Sequence, residues 1–97
     1  MDEADELQRH VRRLATGGWQ WVGTSGEGDS ITLGLFGVNP WKYKWASLGM
    51  QVELEEPACR QRENVELWRI EVGGKWVYFA AVELTPGMYG FWRPTGS

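Results

Sequence analysis

The chain has 97 residues, 42% of them hydrophobic, with seven tryptophans, 13 glycines and four prolines. Ten basic and 13 acidic residues give a formal charge of −3, and Asp2, Glu3, Asp5 and Glu6 hold the excess acid, so the rest of the chain is close to neutral. That balance supplies no long-range field to draw nucleic acid or anionic lipid, no apolar run reaches the length of a membrane span, and the one cysteine, Cys59, cannot form an internal disulfide.

This length suffices for a single domain, residues 1–97, that buries roughly 65% of its unfolded surface without staples. The acidic start argues against a signal peptide, and the lone cysteine fits a reducing compartment. A cytoplasmic location is therefore expected.

Residues 2–16, DEADELQRHVRRLAT, have the pattern of an amphipathic helix, with Ala4, Leu7, Val11 and Leu14 on one face. Acids occupy the first turns and Arg9, Arg12 and Arg13 the last, as the helix dipole favours. Asp5 and Arg9 form an i,i+4 pair, and Gly17-Gly18 supplies the stop. His10, the only histidine, borders the apolar stripe. As a general base it would need a nucleophile and an orienting group, so it is read as a packing-boundary residue.

Trp19–Thr24 and Ser30–Phe36 read as strands joined by Gly23–Ser30, GTSGEGDS. This link resembles a phosphate-binding loop in its glycine spacing and final serine. It departs where the chemistry matters: Asp29 stands in the lysine position, Glu27 adds a second negative charge, and a strand follows in place of a helix. A hairpin loop is expected, and its two acids are too few for a calcium cage.

In Val38–Gly49, VNPWKYKWASLG, Asn39 is a helix cap, Pro40 a first helical residue and Gly49 a stop. A short helix is expected, with Trp41, Trp45 and Leu48 on one face. The alternative is a strand with Trp41, Tyr43 and Trp45 on one face and Lys42 and Lys44 on the other. Interleaved rings and lysines can stack bases and follow a phosphate backbone, so Trp41, Lys42, Tyr43 and Lys44 form a candidate single-stranded nucleic-acid site. A core plug is favoured, because tryptophan is usually highly buried.

Met50–Glu55 alternates, with Met50, Val52 and Leu54 inward and Gln51, Glu53 and Glu55 outward. With Glu56 the acids make a solvated edge; a glycosidase pair would have to flank its scissile bond from opposite sides. In the polar connection Glu55–Asn64, Cys59 lies between an acidic flank and the basic Arg60 and Arg62, and nearby arginines lower a thiol pKa, although a lone loop cysteine is more often incidental. A nucleophile also needs an adjacent base, so Cys59 is not assigned a catalytic role.

The strongest local signal runs from Glu63 to Leu84: two β-branched and aromatic runs separated by Gly73-Gly74. Glycine enters the positive-φ positions of a primed two-residue turn at little cost. That turn pairs Val72 with Lys75, Ile70 with Val77, Trp68 with Phe79 and Glu66 with Ala81 on one face. The other face pairs Glu71 with Trp76, Arg69 with Tyr78, Leu67 with Ala80 and Val65 with Val82. The first face is core. The second is mixed near the turn and apolar further away, so its turn end is expected to be half-wetted.

Thr85-Pro86-Gly87-Met88 fits a type II turn, and Met88–Arg93 a final strand. The piece GMYGFW resembles the aromatic strand of an RNA-recognition motif, with Tyr89 and Phe91 in the stacking places. Met88 breaks the lead-in and the βαββαβ order is missing, so no family is identified.

These elements predict an α+β fold, an N-terminal helix packed on an antiparallel sheet of five or six short strands. The alternative is a small, partly open β-barrel with the helix as lid. No catalytic constellation, metal cluster or cofactor fingerprint is visible, so no enzyme, metal or cofactor is expected. The favoured function is a protein-binding module of inhibitor, immunity or adaptor type. Its contact set is Arg69, Trp76, Tyr78, Trp92 and Arg93, residue types that often dominate interfaces. Nucleic acid is the second choice of partner and a hydrophobic small ligand the third.

Overall fold

The computed structural model describes residues 3–26, 38–57 and 59–95. Helix α1, Glu3–Thr16, packs Leu7 and Val11 of the predicted stripe on the sheet, with Ala15 in the place expected of Leu14, and ends where the Gly17 N–H bonds the Arg13 and Leu14 carbonyls. The chain continues as β1, Trp19–Gly26, then β2, Ala46–Glu56, β3, Gln61–Val72, β4, Lys75–Thr85, and β5, Met88–Pro94. The expected strand at 30–36, and the Glu27–Ser30 part of the loop before it, lie outside the described residues.

The strands form one antiparallel sheet in the order β1-β5-β4-β3-β2. It is open, with β1 and β2 at its edges among the described residues, and the barrel alternative falls away. The β3–β4 register runs from Glu66 opposite Ala81 to Val72 opposite Lys75, as the glycine turn dictates. Gly73 and Gly74 have φ of 58° and 81°, both in the left-handed region that a primed turn demands. The β4–β5 turn, with Pro86 and Gly87 at its centre, sets Thr85 opposite Met88.

The short helix expected after Asn39 is a correction. Asn39 does cap, its side-chain oxygen accepting from the Trp41 N–H at 3.1 Å. Only one 3-10 turn follows, Pro40–Lys42, and the chain is extended again by Tyr43. The Trp45 indole N–H donates back to the Pro40 carbonyl at 2.8 Å, and the Trp41 and Trp45 rings stack at 4.9 Å. The two rings thus meet at the spacing a helix would give, without a helix. Leu48 parts from them, because β2 has already begun and strand alternation turns it to the other face.

Both faces of the sheet are covered. On one, Val65, Leu67, Ala80 and Trp92 are buried with Val11 of α1, and Leu7, Ala15, Leu48, Met50, Val52 and Leu54 pack around them. On the other, Ile70, Phe79, Ala81 and Phe91 are buried beneath Val38, Trp41 and Trp45. Burying the larger of these, Val65, Leu67, Ile70, Phe79 and Phe91, contributes about 1.5–3 kcal/mol each. That is why the central strands read as apolar on both sides at their far ends.

The sheet also curls. β5 and β2 are separated by β4 and β3, yet the Trp92 indole N–H donates to the Glu55 carbonyl at 3.4 Å. The far end of the β2–β3 ribbon therefore bends back over the α1 face. Among the described residues no helix is long and apolar enough to cross a membrane.

Candidate partner-binding face

Alternation along β3 and β4 brings Arg69, Glu71, Trp76 and Tyr78 to the α1 face at the turn end of the hairpin. α1 covers Leu67 and Ala80 further along and stops short of the turn, which leaves this end open. The Arg69 guanidinium carbon lies 3.8 Å from the Trp76 ring centroid. Trp76 is 44% exposed even so. Tyr78 is half-buried, and the His10 ring of α1 meets its ring edge-on at 4.7 Å and 67°. A shallow groove of about 240 Å³ runs beside them, lined by Lys75, Trp76, Val77, Tyr78 and Pro94.

The five residues expected to act together do not all meet. Trp92 shares the face but is only 2% exposed, with its indole edge-on to Trp21 at 4.8 Å. It belongs to the packing under α1. Arg93 follows Trp92 on β5, and alternation sends it to the opposite face. There its Nε and Nη2 donate to the Gln20 side-chain oxygen at 3.0 and 2.8 Å, across the β1–β5 ladder. Arg69, Trp76 and Tyr78 remain a contiguous set. The structure adds His10 and Pro94 to it. Neither was visible from spacing, since both come from elements whose approach depends on the strand order.

No family model, curated protein or solved structure matches this chain. The reading of the face thus rests on its own chemistry. A cation clamped on a tall indole presents a rigid, amphipathic surface, and such residues lose little freedom on contact with a partner.

The other candidate groups are placed as follows. Of the nucleic-acid set, Trp41 is half-buried, its indole N–H donating to the Ser25 hydroxyl at 2.8 Å and its ring against Tyr89 and Phe91. Lys42, Lys44 and Tyr43 point outward, Tyr43 at 37% exposure. One ring, not an array, is left for stacking there. Glu53 is paired with Arg62 of β3.

The environment of Cys59 reverses the expectation drawn from its arginines. The buried Glu56 carboxylate accepts from the Cys59 N–H at 2.7 Å. First by hydrogen bonding with the side chain and then by its charge, Glu56 pushes the thiol pKa above its ordinary value. Slight desolvation and the charge of Glu63 add to the rise. A carboxylate three positions upstream was the signal in the sequence, and it outweighs the flanking arginines because it is in direct contact.

Proposed function

We propose that this protein is a small, non-enzymatic protein-binding module of inhibitor, immunity or adaptor type. Its contact face is Arg69, Trp76 and Tyr78, with His10 and Lys75 at the margin. One observation carries the reading: Trp76 stands 44% exposed with the Arg69 guanidinium held against its ring. A large indole left in water gains most when a partner covers it, and tryptophan, tyrosine and arginine are the types that most often carry binding energy. The neutral body of the chain favours a protein partner over nucleic acid. The exposed free Cys59 suits a reducing compartment, and the cytoplasm is the proposed place of action.

The test is paired affinity capture from the native host with wild-type protein and with Trp76→Ala, both shown to be folded by circular dichroism. The reading expects a protein retained by the wild type and lost with the variant. Identical sets retained by both would sink it.

A further inference from the structure

A second cleft, of about 560 Å³, lies on the α1 face at the far end of the curled β2–β3 ribbon. Trp19 and Trp21 of β1 and Trp92 of β5 wall it, together with Leu54 and Pro57. Two of the three indoles are fixed. Trp21 and Trp92 meet edge-on at 4.8 Å, and the Trp92 N–H is committed to the Glu55 carbonyl. The third, Trp19, is half-buried, and its Nε1 is shut off from solvent with no hydrogen-bond partner among the described residues. Arg60 also lines the cleft and is exposed, and among the described residues no hydrogen bond or ion pair holds its guanidinium. Its backbone sits at φ 54°, the one non-glycine residue in the left-handed region among those described.

These groups ask for a particular occupant. The accessible parts of Trp19 and Trp21 favour a flat aromatic body. An unpaired guanidinium favours a carboxylate, which it can grip with two parallel N–H bonds. Glu55 also lines the cleft, but alternation along β2 sends its side chain away from Leu54, and its carbonyl is already used by Trp92. We infer that this cleft binds a planar aromatic small molecule carrying a carboxylate, held between the tryptophans and Arg60. The site is separate from the Trp76 face and does not depend on it.

The full-length chain is titrated with 2-naphthoate and with its neutral isostere, 2-naphthamide, by calorimetry, while the indole N–H resonances are followed by NMR. Saturable binding of naphthoate is expected, shifting the Trp19, Trp21 and Trp92 indoles and leaving Trp76 in place. The amide should bind about tenfold more weakly, the loss of roughly one charge-assisted contact. Arg60→Gly suits the left-handed backbone and keeps the fold, and it should abolish that preference for the acid without weakening the amide. Trp76→Ala should leave naphthoate binding unchanged. Absence of saturable binding, equal affinity for acid and amide, an unaltered preference in Arg60→Gly, or shifts centred on Trp76 would each overturn the inference.

Discussion

Gly90 is buried in β5, and the reason it is glycine is the ring of Trp21. A Cβ there would lie 3.0 Å from Cζ3 and Cη2 of Trp21 and 3.0 Å from Cδ1 of Leu84. Carbon atoms in contact prefer about 3.5–4.0 Å, so the indole would have to retreat. It has little room to do so, because Trp92 stands behind it at 4.8 Å. Overpacking of this kind costs about 1–3 kcal/mol, and the lower chain entropy of alanine in a strand returns about 0.5–1 kcal/mol. Gly90→Ala is therefore expected to lose up to about 2.5 kcal/mol, roughly 1 kcal/mol at the centre of both ranges. With a urea slope of about 1 kcal/mol per M, that central value lowers the unfolding midpoint by about 1 M. The check is a urea titration of Gly90→Ala, of Trp21→Phe and of the double variant. The smaller ring should absorb the methyl group, so most of the loss disappears in the Trp21→Phe background. A Gly90→Ala protein as stable as wild type, or an equal loss in both backgrounds, would refute the contact argument.

Three further outcomes are expected. Ser25→Ala strands the Trp41 indole N–H, now 2.8 Å from the hydroxyl of a residue only 2% exposed; it should cost about 1–3 kcal/mol, and a double-mutant cycle in urea should show that cost shrinking in Trp41→Phe. Trp76→Ala should lower stability by only about 0.5–1 kcal/mol, the scale of an exposed cation–π pair. Trp45→Ala, which removes a ring packed against Trp41, Trp68, Phe79, Tyr89 and Phe91, should cost about 3–5 kcal/mol; similar losses for the two variants in thermal unfolding would contradict the division between face and core. A raised thiol pKa favours the protonated form, so Cys59 should carry less thiolate than a free thiol at any pH below it. Its rate of alkylation by iodoacetamide should rise with pH through a midpoint above the ordinary thiol value, and Glu56→Gln should move that midpoint down. A midpoint at or below the ordinary value would show that Glu56 does not govern the thiol.

The hairpin was legible residue by residue because a two-glycine turn leaves one register, and a register fixes every facing pair. The inward set Met50, Val52 and Leu54 was legible for the same reason of period. The Asn39-Pro40 start was also correct, yet a cap tells where a turn begins and not how long it lasts. Trp41 and Trp45 satisfied their packing after one turn, and β2 took the rest of the segment. Trp92 and Arg93 were assigned to one surface although neighbours in a strand face opposite ways, so alternation alone could have separated them. Gly90 and the Trp19–Trp21–Trp92 cleft lay beyond any local pattern. Both depend on β1 lying beside β5, a pairing of the first strand with the last that no spacing along the chain encodes. The same holds for His10 against Tyr78.

That pairing divides the molecule into parts of unequal permanence. From β2 to β5 each strand lies beside its neighbour in the chain, so these contacts close cheaply. The α1–β1 arm is joined to the rest by the long-range ladder from Trp19 opposite Pro94 to Gly26 opposite Met88. The arm is placed as a latch: lifting it would bare the apolar surface around Leu67 and Ala80 and, on the other side, break the Trp41–Ser25 hydrogen bond. The arm also supplies two of the three indoles of the aromatic cleft. A ligand seated there would bridge arm and meander and hold the latch shut, adding to stability as the logarithm of one plus the ratio of its free concentration to its Kd.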